Sequence, residues 1–161
     1  MNTGDNNISW ITVDGILNSL FLRQVPLFRP LPDDALSAVA NQLDDRRYRR
    51  NEVILWQGDL GEGVYLIKNG IVGIMRLVPD KRDIQILHYL KEGDLLGEFG
   101  LLSNQRAAAH TTATALSDVD VLLIGRDMLL DLLQQYPSMA LELVQLLTRR
   151  LMAHNATAAQ D

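Results

Sequence analysis

The sequence predicts a mainly β fold with flanking helices, and three features of the chain predict it. The middle zone, from about residue 46 to 125, contains many short apolar runs at even spacing, which is typical of a sandwich, barrel or jelly roll. Apolar residues at helical spacing precede this zone and follow it. The chain has 161 residues, the length of one domain that can bury a core without staples.

The first zone is predicted to hold two helices. The apolar residues of the first helix recur at helical spacing: Val13, Ile16, Leu17, Leu20 and Phe21. Three prolines then break the pattern, because proline lacks an amide donor and fixes φ. A second helix follows, with its apolar face at Leu36, Val39, Ala40 and Leu43. Asp33 and Asp34 lie in its first turn, where the helix dipole favours negative charge.

The strands of the middle zone are predicted from apolar runs that turns separate. They cover 53–56, 63–68, 71–78, 84–90, 111–115 and 119–124. Asn69-Gly70 lies between two of these runs and predicts a hairpin with a type I′ turn, which needs positive φ at both central residues. A basic cluster precedes them at Arg46, Arg47, Arg49 and Arg50. We interpret it as the solvated face of a further short strand, with a phosphate or membrane contact as the alternative.

The last zone is helical again. Asp127 is predicted to cap a helix over 128–135, and Tyr136-Pro137 interrupts it because the residue before proline disfavours helix. A final helix then carries an apolar stripe at Ala140, Val144, Leu147 and Leu151. This stripe is either part of the core or a dimer seam.

Taken together, the three zones predict one domain over 13–154, between flexible segments at 1–12 and 155–161.

Composition and charge argue against several functions. The net charge of −5 makes DNA binding unexpected, because affinity for phosphates comes largely from Lys and Arg. The chain has no cysteine, hence no disulfide or Cys-based metal site, which fits a cytoplasmic protein. Its apolar runs are too short to span a membrane. His88, His110 and His154 share no metal-binding spacing, so we expect no bound metal. No catalytic constellation is visible, so we expect no cofactor and no enzymatic activity.

One segment, which begins at Gly97, is not explained by packing alone. Glycine lets the backbone approach a ligand closely, and a short helix start offers amides to an anion. Glu98 can accept hydrogen bonds from sugar hydroxyls, and Arg106 can grip phosphate oxygens. Ala107 and Ala108 leave room and present backbone amides. The segment therefore fits a pocket for a small phosphate ester. An ordinary loop with a strand-end Glu and a surface Arg is the alternative.

The order of several motifs resembles the cyclic-nucleotide-binding domain family, which includes the catabolite activator protein, the regulatory subunits of protein kinase A and cyclic-nucleotide-gated channels. The motifs are VPLF from residue 25, YRRNEVI from 48, QGD from 57, YLIKNG from 65, GDLLGE from 93 and LLIGRD from 122. The resemblance extends from Leu17 to about Met152. It implies a double-stranded β-helix, that is, a jelly-roll-like β-roll, with N-terminal helices and C-terminal helices of the B/C type.

The resemblance also implies that the segment from Gly97 is a phosphate-binding cassette. Its ligand-binding residues would be Gly97, Glu98, Phe99, Arg106, Ala107 and Ala108. Glu98 would accept the ribose 2′-hydroxyl, and Arg106 would pair with the cyclic phosphate, helped by amides of Ala107 and Ala108. The ligand would be cAMP, or less readily cGMP, and the last helix would move on binding.

The chain departs from the family pattern at Arg106. This residue lies eight positions after Glu98, whereas the family's arginine usually comes a residue or two later. Aligned backwards from Thr112, the arginine column holds Ala109. Either Arg106 reaches the phosphate from a rearranged loop, or the arginine is lost. The second alternative predicts a module that no longer binds nucleotide and serves in homodimerisation or protein docking. Direct DNA binding is not expected, because the chain stops near the last helix.

Overall fold

The structure is a computed structural model that describes residues 12–59, 61–78, 80, 82–98, 101 and 111–158. In these ranges the helices are α1 Val13–Gln24, α2 Asp33–Ala40, α3 Arg126–Gln135 and α4 Pro137–Ala158, with a 3-10 turn at Pro26–Phe28. The strands are β1 Asp44–Tyr48, β2 Val53–Leu55, β3 Gly63–Asn69, β4 Val72–Val78, β5 Asp83–Leu90, β6 Leu95–Leu96, β7 Thr112–Ala115 and β8 Val119–Gly125.

These strands form two antiparallel sheets. Sheet A has the order β1-β8-β3-β6, and sheet B has the order β2-β7-β4-β5. Strands that follow one another in the chain therefore mostly lie in different sheets, because the chain winds back and forth between the two. This topology, with helices before and after it, confirms the predicted jelly-roll-like β-roll.

Sheet A separates two hydrophobic cores. Side chains alternate along a strand, so Val64 and Leu66 of β3 face a core that they share with the helices. Tyr65 and Ile67 of the same strand face a second core between the sheets. Because both faces of β3 are buried, its sequence reads as a nearly continuous apolar run rather than an alternating one.

The predicted type I′ hairpin at Asn69-Gly70 is wrong. Asn69 is the last residue of β3, and β3 and β4 lie in different sheets. Gly70 alone of the two has a positive φ, 98°. A Cβ at Gly70 would lie 2.3 Å from the carbonyl oxygen of Asp118, and Ile71 N donates to Ser117 Oγ at 3.0 Å. The glycine is therefore required where two turns pack together at a corner between the sheets.

The C-terminal helices differ from the prediction at their ends. The predicted cap at Asp127 is wrong, because α3 begins at Arg126, two residues earlier than predicted, with Gly125 as its N-cap. Asp127 lies in the first turn instead, where the helix dipole favours its charge. The predicted break at Tyr136-Pro137 does separate α3 from α4. Helix α4 continues to Ala158, past the predicted domain end at residue 154.

Helix α1 forms where the periodicity predicts it, but its apolar stripe faces outward. Leu20, for example, is 62% exposed. The helix instead buries Gly15, Asn18 and Leu22, and of the stripe only Phe21 packs against the core. A Cβ at Gly15 would lie 2.0 Å from Asn41 Oδ1, and Asn18 Nδ2 donates to Asp45 Oδ2 at 3.1 Å. Helix α1 therefore docks through a close glycine contact and a buried polar bond as well as through apolar packing.

Candidate functional site

The short strand β6 positions the first two residues of the predicted cassette. It pairs antiparallel with β3, so that Leu96 lies opposite Tyr65. Gly97 follows with φ of 88°, and a Cβ there would lie 2.9 Å from the carbonyl oxygen of Gly63. Glycine therefore lets the chain turn directly against the start of β3. This turn carries Glu98 into the interior.

The turn before β6 is fixed by Asp94. Its side chain accepts a hydrogen bond from Lys91 N at 2.9 Å, and its carbonyl oxygen accepts from Ile67 N at 3.0 Å. Gly93 N donates in return to Ile67 O at 2.9 Å. Asp94 therefore caps this turn, and the turn holds β6 in register with β3.

Glu98 is a buried carboxylate with a cationic partner on the last helix. Its side chain is 5% exposed and pairs with Arg150, whose side chain is 24% exposed. Arg150 donates through Nη1 to Glu98 Oε1 and through Nη2 to the carbonyl oxygen of Leu95. A buried charge is costly unless it is paired and hydrogen-bonded. The ion pair therefore ties the start of the cassette to α4.

Arg150 lies on the side of α4 that packs against the protein. Met139 and Leu143 on this helix are fully or almost fully buried, at 0% and 3% exposure. The predicted stripe lies largely elsewhere, since Val144 is 58% and Leu151 61% exposed. Arg150 was not predicted from the sequence, because only the apolar stripe was considered on this helix. The signal was present, because an arginine that continues the spacing of buried apolar residues needs an acidic partner inside.

Tyr65 lines the space between the sheets next to Gly97. It is 4% exposed, and its Cδ2 atom lies 3.6 Å from where a Cβ of Gly97 would be. Burial raises the pKa of the Tyr65 hydroxyl. The aromatic ring belongs to the core between the sheets, together with Ile74 and Leu90. The wall beside Gly97 is therefore mostly apolar.

The remaining predicted site residues lie outside the described residues. They are Phe99, Arg106, Ala107 and Ala108. The structure brings Gly97 and Glu98 together, and the predicted phosphate contacts stay predictions. His110 and Ala109 also lie outside the described ranges.

The basic cluster is at least partly neutralised by ion pairs. Nη1 of Arg46 lies 2.5 Å from Oε2 of Glu62, and Nε of Arg47 lies 3.7 Å from Oδ1 of Asp120. The hydrogen bond with Glu62 raises the pKa of the Arg46 guanidinium. These contacts agree with the solvated strand face that the sequence predicts for this cluster, and β1 is that strand.

The residues that the structure describes include neither a metal-ion site nor a membrane-spanning helix. No group of three or more His, Asp or Glu side chains in those residues is arranged to hold a metal ion. Among them, no helix combines the length and the apolar character needed to cross a membrane.

Comparison with known proteins gives consistent matches. The family described as "Cyclic nucleotide-binding domain" matches residues 45–136. The cyclic AMP receptor protein of Thermus thermophilus is 32% identical over 126 residues, which cover 78% of this chain and 57% of that protein. A cGMP-dependent protein kinase isozyme of Drosophila melanogaster is 28% identical over 107 residues, 66% of this chain and 12% of the kinase.

The same relationship holds for the three-dimensional structure. The crystal structure of the catabolite activator protein of Thermus thermophilus superposes with a TM-score of 0.71 at 30% identity, over 84% of this chain and 62% of that chain. This chain therefore spans less than two thirds of each of these proteins.

Proposed function

This chain belongs to the cyclic nucleotide-binding domain family, and from that premise we propose that it is a regulatory module that binds cAMP and transmits binding through α4. The observation that carries the proposal is the buried ion pair between Glu98 and Arg150, which joins the predicted ribose acceptor to the last helix. The preference for cAMP over cGMP rests on the relative named for cyclic AMP, which is 32% identical, against 28% for the cGMP-dependent kinase.

The chemistry of Glu98 suits a ribose. An ionised carboxylate only accepts hydrogen bonds, and its two oxygens offer about four acceptor sites. Glu98 can therefore keep its bond from Arg150 and accept the 2′-hydroxyl at the same time. Gly97 beside it lets the backbone approach the ligand. Arg106 would pair with the cyclic phosphate, with the amides of Ala107 and Ala108, because charge-assisted bonds to phosphate oxygens are strong.

The shared carboxylate couples the ligand to the helix. A ligand shifts a conformational equilibrium only if its affinity differs between the two states. A ribose hydroxyl on Glu98 fixes the carboxylate in the position that Arg150 also uses, so bound nucleotide favours the docked state of α4. By thermodynamic linkage, docking of α4 raises the affinity for the nucleotide by the same factor by which the nucleotide favours docking.

Calorimetric titration with cAMP and cGMP tests the proposal. We expect wild type to bind cAMP more tightly than cGMP. Glu98→Gln and Arg106→Ala should each weaken cAMP by about ten- to a hundredfold, since a bond to a charged group contributes about 1.5–3 kcal/mol. Glu52→Gln, which makes the same chemical change at an exposed position, should not. Absence of heat with either nucleotide at millimolar concentration contradicts the proposal.

The exposed outer stripe of α4 favours a second candidate, a module that docks without a nucleotide. Val144 on this stripe is 58% exposed, and the departure of Arg106 from the family pattern motivates the same alternative. In this case the chain gives no heat with nucleotides and forms a homodimer through α4, which Val144→Glu splits. The predictions of a cytoplasmic location, of no DNA binding and of no enzymatic activity stay predictions.

A further inference from the structure

Sheet B turns a second apolar surface away from the core. Val72 and Ile74 of β4 point into the core between the sheets, with exposures of 0% and 6%. Side chains alternate along a strand, so Gly73, Met75 and Leu77 face outward. The outward positions of β4 therefore carry no polar side chain.

The register extends this surface onto both neighbouring strands. In antiparallel sheets, residues directly opposite each other share a face. Met75 lies opposite Ile86 on one side and Thr112 on the other, and Leu77 lies opposite Ile84. We define the outer face of sheet B by the eight positions that this register places together: Gly73, Met75, Leu77, Ile84, Ile86, Tyr89, Thr112 and Thr114.

The large side chains of the outer face are exposed and lie close together. The exposed fractions are 56% for Leu77, 62% for Ile84, 46% for Ile86 and 62% for Tyr89. Over Gly73 the surface is closed by other apolar atoms, because a Cβ there would lie 3.0 Å from Leu116 Cδ1. The outward residues of β7 are Thr112 and Thr114, so the apolar surface continues from Leu116, just after β7, across β4 to the edge strand β5.

Such a surface is unusual for a sheet that faces solvent. Antiparallel sheets with one solvated face commonly alternate apolar-in and polar-out. The outer face of sheet A is instead covered by the helices, with which Val64 and Leu66 share a core. Large contiguous apolar patches on a protein surface mark interaction sites. The outer face of sheet B therefore fits a partner rather than water.

We propose that the outer face of sheet B is an isologous interface with a second copy of this chain. Its eight positions include no charged residue, so a two-fold contact of the face with itself brings no like charges together, as an isologous interface requires. The charged neighbour Arg76 lies on the opposite face, where it donates to Gln85 Oε1 at 3.2 Å. A lipid surface is a poorer fit, because the face offers no Lys or Arg to headgroups.

The proposed interface leaves the candidate site free. Two sheets that pack face to face lie about 10 Å apart and interdigitate their side chains. Glu98 follows β6 of sheet A, and α4 packs on the helical side of that sheet. Both copies can therefore bind ligand and move α4 without breaking this contact. The proposal does not depend on the proposed ligand.

Sedimentation equilibrium of the whole chain tests the interface. We expect a dimer that Ile84→Glu and Ile86→Glu weaken at least about tenfold, which corresponds to about 1.4 kcal/mol. Gln85→Glu adds the same charge on the opposite face of the same strand and should leave the dimer intact. A chain that is monomeric at every concentration overturns the proposal. So does a dimer that Val144→Glu splits and both isoleucine variants leave intact.

A second measurement covers the case in which a glutamate variant does not fold. The chain has no cysteine, so Tyr89→Cys and Gln85→Cys each carry a single thiol. We expect the rate at which Tyr89→Cys is alkylated to fall as protein concentration rises, because the dimer covers this position. The rate for Gln85→Cys should stay constant. Equal behaviour of the two thiols contradicts the proposal.

Discussion

Replacing Arg150 with alanine leaves Glu98 buried without its guanidinium. The Glu98 side chain is 5% exposed, and removal of one partner of a buried ion pair costs about 3–5 kcal/mol. Because 24% of the Arg150 side chain reaches solvent, we expect the lower end, about 3 kcal/mol. At about 2–4 °C per kcal/mol for a domain of this size, the melting temperature should fall by about 6–12 °C.

Thermal and urea denaturation, followed by circular dichroism, measure this loss. Arg149→Ala is the matched control, because Arg149 is the exposed neighbour on the same helix, and it should change stability by less than about 0.5 kcal/mol. The double variant Glu98→Gln with Arg150→Ala should lose less than the sum of the single losses, since neither partner is left charged and alone. Equal melting temperatures for Arg149→Ala and Arg150→Ala would refute the buried ion pair.

Three further predictions concern stability. Gly70→Ala should lower the free energy of unfolding, measured in urea, by at least about 1 kcal/mol, because φ is 98° and a backbone oxygen lies 2.3 Å from the new Cβ. Gly93→Ala should lower it less, because φ is 88° there and the new Cβ has open space around it. Burial raises the pKa of Tyr65 above its ordinary value of 10.0 in the folded protein. The contribution of the protonated hydroxyl to the free energy of unfolding is therefore complete below pH about 10 and is lost as the pH rises through the raised pKa. Tyr65→Phe should therefore reduce the alkaline loss in a pH series of unfolding free energies. Leu143→Ala should cost about 2–5 kcal/mol, whereas Leu141→Ala, at a 59% exposed position, should change little.

Much of the roll was predictable because its strands obey local rules. The apolar runs that became β3 and β8 stand out, since both of their faces are buried. The two-residue strand Leu95–Leu96 is too short to show a period and was not predicted. Sheet membership was also hidden. Asn69-Gly70 has the composition of a hairpin turn, yet the chain changes sheets there because Gly70 packs against a distant turn.

Only one part of the candidate site, the Gly97-Glu98 step, could be predicted from the sequence. Gly97 and Glu98 are neighbours in a recognisable motif, which is why they could be predicted, although their conformation also depends on the pairing of β6 with the distant strand β3. Arg150 lies 52 positions from Glu98, and the two meet only because α4 packs back across the helical core. No local pattern encodes such a contact. An arginine in line with buried residues such as Leu143 indicates that a partner exists, but not which one.

Hydrogen exchange along α4, with and without cAMP, tests the coupling between ligand and helix most directly. The amides around Leu143 to Met152 should exchange more slowly when cAMP is bound, and those of α2 should not change. In Arg150→Ala the slowing in α4 should disappear even at nucleotide concentrations that saturate the site. Unchanged exchange in α4 of the wild-type chain, at saturating cAMP, would contradict the account.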